Sequence, residues 1–468
     1  MNRSRHNALP LLALFLSLLV AVAACHAQEP PAAPKNVIIM ISDGCGYNHI
    51  AATGMFLHGE PGTLSFEQFP VKLACSTFPL GGSYDPGKAS ADMAYVKEGP
   101  TDSAAAATAL ATGAKTANGR LGVTADGAAL WNLMEVAAAR GKRTGVVTSV
   151  PLSHATPAGF AVHQASRASY AAIAAEMLLD SRLNVIMGCG HPDYDDGGRR
   201  VQPRAEGDEK RFDYVGGPDL WRELQKGVAG GDADGDGYPD PWTFIETREQ
   251  FEALTSGAVP PRVVGVAQAA STLQSGRPAT VDCNGDGELN SEDIKIAAPL
   301  QIPLNTNVPD LATMTLGAIN VLDAGPDGFA LMVEGGAVDW AAHSNILGRV
   351  IEEQMDFTAA VDAVIAWVEA DSSWDETVLI VTADHETGYL TGPGSDEKPQ
   401  PLENNGKGKL PGAQFHSGDH TNSLVGVYAR GWGVEKLAAR ATSQDPIHGA
   451  YMDNTDIPKF VIEALSAK

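Results

Sequence analysis

Asn36-Val37-Ile38-Ile39-Met40-Ile41-Ser42-Asp43 is an unbroken apolar run that ends on a carboxylate. Continuous rather than alternating hydrophobicity over so short a run reads as a strand buried on both faces, the kind found in a parallel sheet covered by helices. The pattern recurs. Thr377-Val378-Leu379-Ile380-Val381-Thr382-Ala383 delivers Asp384-His385-Glu386-Thr387-Gly388, and Phe329-Ala330-Leu331-Met332-Val333 delivers Glu334-Gly335-Gly336. In an open parallel sheet the carboxyl ends of the strands line the ligand crevice. Three acidic strand ends therefore predict a crevice whose carboxylates would repel one another without a cation among them.

The histidines narrow the choice of cation. Asp339-Trp340-Ala341-Ala342-His343 spaces a carboxylate and an imidazole four apart, which on a helix puts both on one face within reach of a single ion. His385 and His420 supply further nitrogens, and His416, four residues before His420, is a weaker candidate for the same role. Mixed His and Asp ligation suits zinc or another borderline divalent metal better than calcium or magnesium, which prefer oxygen shells. His6, His26, His49, His58, His163, His191 and His448 read as surface or hydrogen-bonded core residues.

A hydroxyl stands ready for such a site. Thr101-Asp102-Ser103 precedes Ala104-Ala105-Ala106-Ala107-Thr108-Ala109-Leu110-Ala111-Thr112-Gly113, so Ser103 falls where an alanine-rich helix begins. A helix N-terminus favours anions, phosphate among them, although Asp and Ser are also ordinary capping residues.

These segments, with His154-Ala155-Thr156-Pro157, Arg167, Val333-Glu334-Gly335 and His420-Thr421 in the same order, resemble the alkaline phosphatase family from about Asn36 to the C-terminus. The resemblance implies a three-layer α/β sandwich with a central, mostly parallel β-sheet over residues 35–468. It implies hydrolysis of small phosphate monoesters through a phosphoserine on Ser103, with Arg167 gripping the phosphate and Asp102 holding Arg167. It implies two zinc ions, one on Asp339, His343 and His420 and one on Asp43, Asp384 and His385. A third ion, magnesium or a third zinc, would take Asp43 again with Thr156, Glu334 and His154. A homodimer is the family's common assembly.

Three positions depart from the best-known bacterial members. His154 stands where many carry Asp, which makes the third site less anionic and shifts it towards zinc or cobalt. Trp340 replaces a charged residue, and packing is its simplest role. Thr387 stands where the family often has His, so any hydrogen bond that His would give must come from the Thr387 hydroxyl.

From 197 to 303 the chain turns to Gly, Asp and Pro and reads as an insert. Asp282-Cys283-Asn284-Gly285-Asp286-Gly287-Glu288-Leu289-Asn290-Ser291-Glu292-Asp293 fits a calcium loop of dockerin type, with Asp282, Asn284, Asp286, Asn290 and Asp293 as ligands. Asp232-Ala233-Asp234-Gly235-Asp236-Gly237-Tyr238-Pro239-Asp240 starts equally well, yet Thr243 sits where a carboxylate should close the shell.

The 468 residues hold 57 acidic and 33 basic side chains, a net charge of −24, so nucleic acid and other polyanions are excluded as partners. Arg3 and Arg5 precede an apolar stretch from Leu9 to Ala24, read as a secretory signal over residues 1–27 that exports the protein to the periplasm or the exterior. Val22-Ala23-Ala24-Cys25 also resembles a lipobox, and lipidation of Cys25 would be the route to a membrane. In an oxidising compartment Cys45, Cys75, Cys189 and Cys283 are free to form a disulfide, with no pair specified. Two alternatives stand beside the monoesterase: a phosphodiesterase of the same superfamily, and a non-catalytic calcium-binding surface protein.

Overall fold

The computed structural model describes residues 33–202 and 209–466. The signal segment 1–27 and Cys25 lie outside the described residues. Eleven strands build one sheet: β1 (Asn36–Ser42), β2 (Val71–Ser76), β3 (Arg143–Pro151), β4 (Val185–Cys189), β5 (Thr243–Ile245), β6 (Val263–Val266), β7 (Phe329–Gly335), β8 (Thr377–Thr382) and, after four two-residue strands, β13 (Val425–Gly431), β14 (Ser443–Asp445) and β15 (Gly449–Asp453). The short strands are β9 (Glu386–Thr387), β10 (Leu390–Thr391), β11 (Gln414–Phe415) and β12 (His420–Thr421), paired as antiparallel ribbons β9 with β12 and β10 with β11.

The order across the sheet is β14-β15-β2-β13-β8-β1-β7-β3-β4-β6-β5. The three strands with acidic ends are neighbours, β8-β1-β7, and run parallel. Every residue of β1, β7 and β8 is buried, as their unbroken hydrophobicity requires. Their register pairs Ile41 with both Glu334 and Thr382, so Asp43 and Asp384 emerge at one level of the same edge and Glu334 lies two residues before that level. Glu334 lies inside β7 rather than beyond it, since the strand runs on to Gly335. Antiparallel pairs occur where β13 joins β8 and β2 and where β14 joins β15.

The helix over Ser103–Thr112 begins where its sequence demands. Asp102 caps it by accepting from Ala105 N at 2.9 Å, and Gly113 ends it in the left-handed conformation at φ +75°. Its alanines allow close approach to the helix Ala155–Gly159: a Cβ on Gly159 would lie 2.6 Å from Ala107 Cβ. The helix Ala337–His343 leads through a short turn into the 25-residue helix Leu347–Asp371.

The Gly/Asp-rich segment contributes β5 and β6, which extend the sheet parallel to β4. Two buried arginines anchor it. Arg262 donates to the carbonyls of Leu183, Gly231, Asp240 and Ser181 and stacks on Trp242 at 3.7 Å, with burial pulling its pKa down to about 10. Arg277 donates to Gln274, Ile302 and Pro303 carbonyls and to Glu352 on the long helix at 2.8 Å. Among the described residues Cys45, Cys75, Cys189 and Cys283 are all free thiols, and no helix is long and apolar enough to cross a membrane.

Candidate metal and phosphoryl-transfer site

Ser103 lies buried at the first turn of its helix with its Oγ 3.2 Å from His385 Nε2. The same imidazole nitrogen is 3.2 Å from Asp384 Oδ2 and 3.5 Å from Asp43 Oδ1. One nitrogen, one hydroxyl and two carboxylates thus converge at the ends of β1 and β8. Gly44 makes the convergence feasible: it sits at φ +70°, and a Cβ there would come within 2.8 Å of Asp339 Cα and of Thr387 Oγ1.

Beside this corner lies a second. Asp339 and His343, one helical turn apart, meet with His343 Nε2 3.3 Å from Asp339 Oδ2, and His420 Nε2 lies 3.6 Å from Asp339 Oδ1. His343 Nδ1 donates to Gly418 O at 2.6 Å and His420 Nδ1 to Thr101 O at 2.8 Å. With Nδ1 tied to a carbonyl, each ring turns its Nε2 inward, the orientation in which a histidine can ligate a metal. Those two Nε2 atoms are only 3.0 Å apart. Ligand atoms of Asp339, His343 and His420 all fall within 4.8 Å of one another, and so do those of Asp43, Asp339 and His385. The rings of His385 and His420 stack at 3.6 Å, which joins the two corners. Thr387 Oγ1 donates to Asp339 Oδ1 at 2.5 Å and lies 3.3 Å from His385 Nδ1, so this hydroxyl orients ligands in both.

The third expected set is more loosely gathered. Thr156 Oγ1 donates to Asp43 Oδ2 at 3.2 Å, and Glu334 accepts from Thr148 Oγ1. His154 is buried between Tyr170 and Trp340, whose ring meets it edge-on at 5.3 Å. Among the described residues His154 joins no trio of His, Cys, Asp or Glu ligand atoms within 4.8 Å. His416 stands apart, its Nε2 2.7 Å from Thr391 Oγ1.

The electrostatics of the crevice call for cations. Burial, then the charges of Asp384, Asp339 and Glu334, push Asp43 well above the usual carboxylate range. Burial likewise lifts Glu334 to about 7 and Asp384 to about 6, the latter helped by Asp339. Burial would also raise Asp339, but the hydrogen bond from His343 and the charges of His385 and His420 hold it well below. His385 is pushed far down by burial and by His420, and His154 to about 3 by burial and Arg167. Asp43 Oδ1, Asp384 Oδ2, Glu334 Oε1 and His154 Nδ1 are buried without a hydrogen-bond partner. Buried acceptors of this kind fit divalent metals, and the crevice has the donors to hold them.

Arg167 completes the site. Its Nη1 is 3.2 Å from Asp102 Oδ2, which also accepts from Gly119 N at 2.9 Å, while Arg167 N donates to Gly119 O at 2.8 Å. Asn118, absent from the sequence reading, ties the same turn: its Oδ1 accepts from Asp102 N at 3.1 Å and its Nδ2 donates to Pro100 O at 3.0 Å. No spacing in the sequence points to it. Ser103, Arg167, Asp339, His343 and His420 share a cavity of about 950 Å³ with Lys97, Asn118, Trp340, Ser417 and Asp419.

The calcium-loop candidates form loops that are largely exposed, although the closing Asp293 is buried. Asp282 accepts from Gly285 N and Gly287 N, and Asp293 Oδ1 accepts from Cys283 N at 2.7 Å. In the other run Asp232 accepts from Gly235 N and Gly237 N, and Asp240 Oδ2 accepts from Ala233 N at 2.9 Å. Asp240 thus closes the second loop where Thr243, the first residue of β5, does not. Carboxylates of Asp232, Asp234 and Asp240 lie within 4.8 Å of one another.

The sequence model of the alkaline phosphatase family matches residues 34–441. Alkaline phosphatase 3 of Bacillus subtilis (strain 168) is 28% identical over 363 residues, 76% of this chain and 61% of the relative. Alkaline phosphatase H of Pseudomonas aeruginosa (strain UCBPP-PA14) is 30% identical over 357 residues, covering 75% and 69%. The chain spans between 46% and 70% of the length of curated relatives such as these, and 61% and 65% of two Bacillus subtilis alkaline phosphatases. The structure of the alkaline phosphatase from the Antarctic bacterium TAB5 superposes with a TM-score of 0.61 at 25% identity, covering 93% of this chain and 99% of that one. Fold, crevice and sequence agree: the chain belongs to the alkaline phosphatase family.

Proposed function

We propose that this protein hydrolyses phosphate monoesters, working as an alkaline phosphatase through a phosphoserine on Ser103. One observation carries the reading: Ser103 Oγ, His385 Nε2, Asp384 and Asp43 meet in a buried corner that opens on the cavity holding Arg167. The donor set suits two zinc ions, on Asp339, His343 and His420 and on Asp43, Asp384 and His385. Asp43, Thr156 and Glu334 suit magnesium, and a nitrogen from His154 would turn that site towards a third zinc. When bound, such ions lower the pKa of the serine hydroxyl and offset negative charge on the departing oxygen.

The chain's own groups do the rest. Ser103 Oγ bonds to phosphorus as the ester P–O bond breaks, and the alcohol leaves with a proton. Water then attacks phosphorus, releasing inorganic phosphate and restoring the serine hydroxyl. Asp102 orients Arg167 so that its planar fork can hold two non-bridging oxygens, which a lysine could not reproduce. The helix beginning at Ser103 adds its positive dipole end behind the nucleophile.

Export by way of residues 1–27, lipidation of Cys25, a homodimer, and calcium in the loop Asp282–Asp293 or in the loop closed by Asp240 belong to the same proposal. The test is an assay of zinc- and magnesium-loaded protein and of Ser103→Ala on p-nitrophenyl phosphate and bis-p-nitrophenyl phosphate. Monoester turnover lost in the variant supports the reading. Preference for the diester would move the protein to the phosphodiesterases, and inactivity on both would leave the calcium-binding surface protein.

A further inference from the structure

The cavity above Ser103 is far larger than a phosphate group needs, and its outer part is chemically uneven. Ser344, Ser417, Asn118 and Trp340 line it, and the lysine and arginine side chains among its lining are Lys97 and Arg167. Arg167 is engaged by Asp102. Lys97 is exposed and, among the described residues, its ammonium makes no ion pair and no side-chain hydrogen bond, although the chain carries a net charge of −24.

Lys97 is nonetheless not on a loose loop. It ends a single helical turn, Tyr95–Lys97, whose central Val96 is buried. Asn422 grips the turn on both sides of Lys97, its backbone N donating to Val96 O at 2.6 Å and its side-chain Nδ2 to Glu98 O at 2.5 Å. Asn422 lies two residues beyond His420, so the platform under Lys97 is bonded to the strand that bears a candidate metal ligand. Asp419, the acid at the cavity mouth, follows Gly418, whose carbonyl is 2.6 Å from His343 Nδ1, and is not within ion-pair distance of Lys97. An anion in the outer cavity is therefore repelled on the Asp419 side and attracted on the Lys97 side.

We propose that Lys97 selects phosphomonoesters bearing a second anionic group, holding that group in the outer cavity while the ester phosphate sits at Ser103 and Arg167. The inference rests on the monoesterase reading and names its substrate class. The probes are 3-phosphoglycerate and glycerol 3-phosphate, which differ by a carboxylate in place of a hydroxymethyl group. Wild type shows the lower KM for 3-phosphoglycerate. Lys97→Ala raises that KM by about three- to fivefold, the scale of a solvent-exposed ion pair, with kcat retained because the contact is equal in ground and transition states. The KM ratio between the two esters collapses accordingly, Lys97→Arg keeps it, and added sodium chloride erodes it in wild type. A KM ratio that is the same in wild type and Lys97→Ala overturns the role of Lys97. Hydrolysis of neither ester by metal-loaded wild type overturns the monoesterase reading, and this inference with it.

Discussion

Two regions of this molecule concentrate acidic side chains, the crevice at the ends of β8, β1 and β7 and the exposed loops of the segment 197–303, and they treat carboxylates in opposite ways. In the crevice Asp43, Asp384 and Glu334 are buried and each keeps an oxygen without a hydrogen-bond partner. In the loops Asp282 and Asp232 have both oxygens engaged by backbone N–H groups of their own turn. The electrostatics follow. Burial raises the crevice acids, whereas backbone hydrogen bonds, first that from Asn290, lower Asp293. Acidic density alone therefore says little about a need for a cation. Dry surroundings and unused lone pairs say much more.

The largest expected effect separates the regions by metal removal. Under the proposed function, stripping zinc and magnesium lowers phosphatase activity by at least about a thousandfold, given what cations contribute to phosphoryl transfer, and lowers Tm because ions held by the crevice would bind only the folded chain. Calcium-selective chelation in zinc-buffered solution leaves turnover of p-nitrophenyl phosphate intact. Equal loss of turnover under both treatments would break the contrast.

Next in size is the cost of a buried charge already matched within the segment. Arg277→Ala leaves Glu352 buried with fewer partners and costs about 3–5 kcal/mol in urea unfolding. Asp282→Ala, in an exposed loop without bound ion, costs under about 1 kcal/mol. Comparable values for the two would show that the loop is as firmly built as the anchor.

Thr387→Val tests the crevice at finer grain. It removes the hydroxyl that donates to Asp339 and should weaken zinc binding about tenfold to a hundredfold, measured by competition with a chromogenic chelator. Unfolding of the metal-free protein should change far less.

The smallest effect lies outside both regions. His163, flanked by Glu135 and Glu176, is raised to about 10 chiefly by its hydrogen bond with Glu135. A histidine raised in the folded state stabilises fully below its unfolded pKa of about 6.5 and loses that contribution as pH climbs through about 10. Wild type should therefore lose stability relative to His163→Gln between those limits, by under about 1 kcal/mol because the group is half-buried and screened. Tm measured for both across that range decides it, and parallel curves would remove His163 from the account.

Much of the crevice was legible in the chain. An unbroken apolar run ending in Asp43 or Asp384 can be satisfied only by a buried strand with a polar exit, and the four-residue step from Asp339 to His343 has meaning only on a helix. The apolar run ends at Val333, yet β7 continues through Glu334, because a strand's hydrogen bonds can carry on through a buried acid whose Oε2 accepts from Thr148 Oγ1. The loops were less legible. Thr243 occupies the expected closing position, but β5 claims it for the sheet and Asp240 turns back instead.

By itself the sequence determined the buried parallel strands, their acidic ends and the start of the Ser103 helix, because periodicity, burial and capping act between residues close along the chain. Only the tertiary structure decided that β8, β1 and β7 lie side by side, that His420 reaches Asp339, that Thr387 serves two ligands, and that Asn422 holds Lys97 at the cavity mouth. Apart from the two-residue step between Thr387 and His385, those contacts join residues tens to hundreds of positions apart, and no local pattern records which of many compatible partners the sheet will bring together.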